Sequence, residues 1–170
     1  MTARPLTRRA LLLGGAAFVI ASTGLSRAFA AADPVADGGT GAAPNRTIAV
    51  FASPSCGCCK GWVEHVRANG YAADVTYVDD GALNQRKDAA GLTAETRSCH
   101  TGFIAGYVIE GHVPAAEIDR LLAARPEALG LSVPGMPMDA PGMGTGSTPY
   151  EVLLLKADGT SEVFARYPMV

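Results

Sequence analysis

The chain has 170 residues, 48% of them hydrophobic and 18% charged, enough apolar content for one buried core and too much for a disordered tail. Its first thirty residues hold Arg4, Arg8, Arg9 and Arg27 and no acid; the remainder carries 10 Lys and Arg against 16 Asp and Glu, a net of −6, which argues against the basic face of a nucleic-acid-binding domain. Four cysteines are too few for a disulfide-dense secreted scaffold.

Thr7-Arg8-Arg9 leads into an apolar run from Ala10 to Ala21, and Ala28-Phe29-Ala30 follows. This is the order of an export signal: a basic segment, an apolar segment of about twelve residues and a small-residue cleavage site. A bilayer-crossing helix needs about 20 apolar residues, so a cleaved signal is favoured over an anchor. The paired arginines resemble a twin-arginine signal, with an ordinary Sec signal as the alternative. Cleavage is expected after Ala30. Residues 31–46, rich in Ala, Gly, Pro and Asp, read as a flexible linker, and the folded domain is expected over residues 47–170.

Thr47 to Ala52 is short, apolar and β-branched, which predicts a buried strand. Ser53-Pro54-Ser55 breaks it. From Cys58 to Asn69 the pattern is helical, with Cys59, Trp62, Val63 and Val66 on one face and Gly70 as the stop. Ala73 to Val78 predicts a second strand and Ala82 to Ala90 a short helix ending at Gly91. Phe103 to Ile109 reads as one strand. Pro114 suits the first position of a helix running to Ala124. Leu129 to Thr148 reads as a Gly/Pro/Met loop. Glu151–Lys156 and Ser161–Arg166 flank an Asp158-Gly159 turn, the mark of a hairpin. The order places a parallel pair around the first helix and antiparallel strands after it. With cysteines where the first strand meets the first helix, this is a thioredoxin-like α/β arrangement, a central mixed sheet flanked by helices.

Cys56-Gly57-Cys58-Cys59 contains a C-x-x-C pair with a third cysteine inside it. It lies at a helix N-terminus, where unpaired N–H groups and the helix dipole favour thiolate, and Lys60 adds positive charge. Thiolate is both the redox nucleophile and the soft metal ligand. Cys99 can complete a cluster or act as a resolving thiol. Two structural disulfides are a competing assignment, although three thiols within four residues make it awkward. A zinc site of four sulfurs, or three and a histidine, is another, yet closed zinc sites usually draw on two separated knuckles.

His65 falls about 10 Å along the helix from Cys58 and about 120° around from Cys59, the position of an exposed residue rather than a ligand. His100 abuts Cys99, and His112 precedes a helix; each is a candidate ligand or a polar bystander. Met136, Met138 and Met143 stand in a Pro/Gly segment that forbids a helix. Their thioethers favour Cu(I), or they pack the loop down as a lid.

Four stretches are similar to the CopG-type family, long catalogued as a domain of unknown function: Ser53-Pro54-Ser55-Cys56-Gly57-Cys58-Cys59-Lys60-Gly61-Trp62, Ser98-Cys99-His100-Thr101, Gly106 through Ala115, and Val133-Pro134-Gly135-Met136-Pro137. The resemblance spans Thr47 to Tyr167. It implies an exported bacterial protein associated with copper resistance, a thioredoxin-like fold and copper bound by cysteine thiolates, with a multi-copper cluster as one form. Carried over by position, Cys56, Cys58, Cys59 and Cys99 are the expected ligands, with Met136 and His112 in matching motifs. After Pro137 the chain departs from the family pattern, so Met138 is not carried over and Met143 stays open.

Two functions are therefore expected. One is a periplasmic protein that holds Cu(I), including as a copper oxidoreductase or as a chaperone passing the ion to another copper-handling protein. The alternative is a thiol–disulfide oxidoreductase using Cys56 and Cys59.

Overall fold

The computed structural model describes residues 46–145 and 148–168; the expected export signal and nearly all of the expected linker lie outside them. Among the described residues seven strands and three helices follow one another as β1 (Thr47–Ala52), α1 (Gly57–Ala68), β2 (Ala72–Tyr77), α2 (Asp80–Ala89), β3 (His100–Ile104), β4 (Tyr107–Glu110), α3 (Ala115–Ala124), β5 (Gly130–Ser132), β6 (Tyr150–Leu155) and β7 (Ser161–Tyr167). They build one mixed sheet in the order β2-β1-β3-β4-β5-β6-β7. β1 and β2 run parallel, β3 is antiparallel to β1, and β4 is antiparallel to β3. A β-α-β unit joined to an antiparallel hairpin and a closing helix is the thioredoxin-like arrangement, extended here by β5, β6 and β7.

The helices cover both faces. His100 and Thr101 are neighbours on β3 and so point to opposite sides. His100 packs against Trp62 of α1, ring centroids 4.4 Å apart and planes tilted by 46°, whereas Thr101 accepts a hydrogen bond from Lys87 of α2. α1 therefore lies on one face and α2 on the other. α3 shares the α1 side: His65 of α1 accepts the N–H of Ala115 at 3.1 Å. Between them Ile48, Val50, Trp62, Val66, Ile118 and Leu121 form the main core. The expected α1 stripe of Cys59, Trp62, Val63 and Val66 is buried as read from the periodicity.

Local chemistry sets several helix ends. Gly70 and Gly91 carry positive φ just past α1 and α2, where a side chain would be strained. Asp79 caps α2 by accepting the Ala82 N–H at 2.9 Å.

Two segments differ from the expectation. The stretch read as one strand, Phe103–Ile109, is the hairpin β3–β4, turned at Ala105 and Gly106 with φ of 49° and 88°. Such a turn normally announces itself with Asn-Gly or Asp-Gly; here an alanine takes the left-handed position inside an apolar run. The second difference is β5, inside the segment read as loop. It pairs parallel to β4 and antiparallel to β6. Gly130 sits against β4 so closely that a Cβ would stand 1.9 Å from the Val108 carbonyl oxygen.

Candidate metal centre

The turn Ser53-Pro54-Ser55 ends β1 and delivers Cys56 to the N-cap of α1. Cys58 and Cys59 follow in the first helical turn. Cys56 and Cys59 are joined in a disulfide, and Cys58 and Cys99 are free thiols.

Cys99 arrives from the other side, immediately before β3, because β3 pairs antiparallel with β1 and its first residue His100 lies opposite Ala52, the last of β1. Its sulfur stands 3.6 Å from Cys59 Sγ and 3.9 Å from Cys58 Sγ, and Cys58 Sγ is 3.4 Å from Cys56 Sγ. All four sulfurs lie within 4.8 Å of one another. Residues forty or more positions apart thus form a single sulfur pocket at a helix N-terminus.

A second donor set shares Cys99. The ligand atoms of Cys99, His100 and His112 also fall within 4.8 Å of one another, with Cys99 Sγ 3.3 Å from His100 Nδ1 and 3.0 Å from His112 Nε2. His112 Nδ1 lies 2.7 Å from the carbonyl oxygen of Pro141. A carbonyl only accepts, so Nδ1 carries the proton and Nε2 turns a bare lone pair toward the Cys99 sulfur. Metal-ligating histidines are usually held this way, one ring nitrogen free and the other bonded to a backbone carbonyl.

The electrostatics favour uncharged groups. Burial pushes the Cys99 thiol up to about 12, and the neighbouring Cys58 adds to the effect. Burial likewise lowers both histidines, His100 furthest, where electrostatic coupling to the His112 ring and to the Lys87 ammonium adds to the effect. Without a cation, the pocket disfavours a buried thiolate; a bound cation would offset that cost by displacing the proton. His100 Nε2 is buried with no hydrogen-bond partner, its ring held between Trp62 and His112.

The segment carrying Cys99 is clamped from behind. Glu110, fully buried on β4, accepts the Ser98 N–H at 2.7 Å and the Thr101 hydroxyl at 2.7 Å, and pairs with the buried ammonium of Lys87. Sequence reading missed this clamp, since Lys87 lies in a polar helix and Glu110 in a strand 23 residues on.

Of the expected site residues, Cys56, Cys58, Cys59, Cys99 and His112 converge. Met136 does not join them as a buried donor: it is 58% exposed. Its neighbour Gly135 pairs with Ser98 and donates its N–H to the Arg97 carbonyl at 3.0 Å, which sets the methionine loop alongside the segment leading to Cys99. Met138 is also exposed, and Met143 packs against the core as a lid residue would. His65, expected to be exposed, is half-buried and holds the start of α3.

Fold and site together define a class: a thioredoxin-like α/β domain whose C-x-x-C helix terminus has become part of a four-sulfur, two-imidazole centre. Comparison with known proteins agrees. The family described as "Protein of unknown function, DUF411" matches residues 96–143, the stretch from the Cys99 approach to the methionine loop. Two solved structures of "Copper resistance protein copG", Form 1 and Form 2, are each 40% identical to the chain. They cover 74% and 72% of it and 98% of their own length, with TM-scores of 0.67 and 0.66. No curated protein matches. The chain belongs to the CopG copper resistance family.

Proposed function

We propose that this protein binds copper in the service of copper resistance, holding Cu(I) in the thiolates of Cys56, Cys58, Cys59 and Cys99 with His112 as a nitrogen donor and Met136 as an outer thioether. The observation that carries the reading is the meeting of Cys99 with the α1 cysteines, 3.6 and 3.9 Å from two of them. Soft sulfur selects Cu(I) over hard cations, and thiolates that bridge let one pocket hold more than one ion. Zinc is the less favoured ion because closed zinc sites usually draw on two separated knuckles, and here Cys99 stands apart in sequence from a single cysteine-rich turn.

The pair Cys56–Cys59 supplies electrons. Two Cu(II) ions each take one electron from the Cys56–Cys59 dithiol, and the products are two Cu(I) ions, two protons and the Cys56–Cys59 disulfide. No other reactant is needed for that turnover. Cys58, Cys99 and His112 then remain as donors for the Cu(I) formed. Resetting the site requires two electrons and two protons from a dithiol donor. The chain acts in the periplasm after export directed by residues 1–30; among the described residues no helix is long and apolar enough to cross a membrane.

A second reading rests on the disulfide itself. A C-x-x-C disulfide at the start of α1 is the arrangement of a thiol–disulfide oxidoreductase, in which Cys56 exchanges with a client and Cys59 resolves the mixed disulfide. The two readings part on Cys58 and Cys99. Reduced, metal-free protein is titrated with Cu(I) and separately assayed for insulin reduction. The copper reading expects Cu(I) uptake that falls when Cys58 or Cys99 becomes Ser; the exchange reading expects insulin reduction untouched by both changes.

A further inference from the structure

The loop between β5 and β6 touches α1 backbone to backbone. At Gly61, one turn into the helix, a Cβ would lie 2.6 Å from the Gly142 carbonyl oxygen and 3.0 Å from its Cα. At Gly142, φ is +83° and a Cβ would stand 2.2 Å from the Trp62 nitrogen and 2.4 Å from the Gly61 carbonyl carbon. Neither position has room for any side chain, and both blocking groups are backbone, which cannot swing aside.

The carbonyl that fixes the His112 ring belongs to Pro141, the residue before Gly142. The backbone at His112 is fixed separately, by Trp62 Nε1 donating to the Val113 carbonyl oxygen at 2.8 Å. Both supports of His112 therefore start from the same turn of α1, Gly61-Trp62, which follows Cys58 and Cys59. The loop is also pinned at its two flanks, by the Gly135 N–H to the Arg97 carbonyl at one end and by Met143 packed on the core at the other.

We infer that Gly61 and Gly142 are positioning residues for His112: their contact sets the Pro141 carbonyl against Nδ1 and thereby keeps the Nε2 lone pair on Cys99. The device acts through how closely two backbones approach. The inference rests on the copper reading only in what Nε2 is for. The tautomer itself is a property of the metal-free protein.

The test is nitrogen NMR of metal-free, reduced protein labelled with nitrogen-15, which distinguishes a protonated Nδ1 from a protonated Nε2. The wild-type spectrum is expected to show His112 protonated at Nδ1; a proton on Nε2 there overturns the inference without any mutant. In Gly142→Ala the His112 signals are expected to shift toward the Nε2–H form, which predominates in an unconstrained neutral histidine side chain, while Pro141→Ala, which keeps its carbonyl, leaves them in place. Gly61→Ala, which presses on the same contact from the helix side, is expected to repeat the Gly142→Ala result and serves if that variant does not fold. Cu(I) affinity is expected to fall about 10–100-fold in the glycine variants, the usual cost of losing an outer hydrogen bond to a ligating histidine. Folded glycine variants with unchanged His112 signals overturn the inference. A tautomer change with no Cu(I) bound by any form leaves the latch standing and removes the copper reading.

Discussion

Cys99 Sγ and His112 Nε2 face each other across 3.0 Å, and the proton on the far side of that imidazole is committed to the Pro141 carbonyl. The thiol and the lone pair are thus paired before any metal arrives. On the proposed copper function, a soft cation entering here would replace one proton and gain two donors at once. His112→Ala is expected to weaken Cu(I) binding while leaving the number of titratable thiols at four after reduction; loss of thiols would show that the change damaged the pocket rather than removed a ligand.

Thiol reactivity follows from the same geometry. Without reductant only Cys58 and Cys99 are free, so two thiols are expected in a denatured, unreduced sample and four after reduction. In the native protein Cys58 should be alkylated first near neutral pH, because burial holds Cys99 protonated up to about 12. Peptide mapping after brief alkylation checks the order; Cys99 labelled ahead of Cys58 would contradict it.

Trp62 joins the core to the site. It is fully buried, packs against the His100 ring and donates to the Val113 carbonyl. Trp62→Ala is expected to cost about 3–5 kcal/mol in denaturant unfolding. Trp62→Phe keeps much of the packing but leaves the Val113 carbonyl without its donor, a loss of about 1–3 kcal/mol.

The Lys87–Glu110 pair behind the site is almost completely buried. Lys87→Met leaves Glu110 without its counter-charge, and removing one partner of a buried pair typically costs about 3–5 kcal/mol. Because Glu110 also holds the Ser98 N–H, the same variant is expected to loosen Cys99 and raise its alkylation rate. Stability within about 1 kcal/mol of wild type would be too small for a broken buried ion pair.

A pH dependence follows from His65. Its Nε2 accepts the Ala115 N–H, which only the neutral ring can do, and burial lowers its pKa from 6.5. The unfolded chain therefore takes up the proton first as the pH falls. The stabilisation is complete above pH 6.5 and is lost as the pH drops through that value toward the lower folded one. His100 and His112 are shifted in the same direction and add to the slope. His65→Gln, which keeps an acceptor but does not titrate, is expected to give a shallower fall in Tm between pH 7 and pH 5; an unchanged slope would remove His65 from the account.

Much of this was legible from local pattern. The α1 stripe, the glycine stops after α1 and α2, the Asp158-Gly159 hairpin and the C-x-x-C helix start are written in short-range residue order, and the structure follows them. The Ala105-Gly106 turn was hidden because its residues carry no polar turn signal. β5 was hidden because three residues make no period and its place is decided by partners on β4 and β6. The groups that tune the centre were less visible still. Lys87 and Glu110 meet only through the sheet, and the Pro141 carbonyl is backbone, which no side-chain pattern marks.

The most direct measurement is a Cu(I) titration of the fully reduced, metal-free protein against a competing chelator, alongside Cys99→Ser. The account expects more than one Cu(I) per chain in the wild type and a clear drop in that number when the Cys99 sulfur is lost. Four reduced thiols that take up no Cu(I), or uptake indifferent to Cys99, would contradict it.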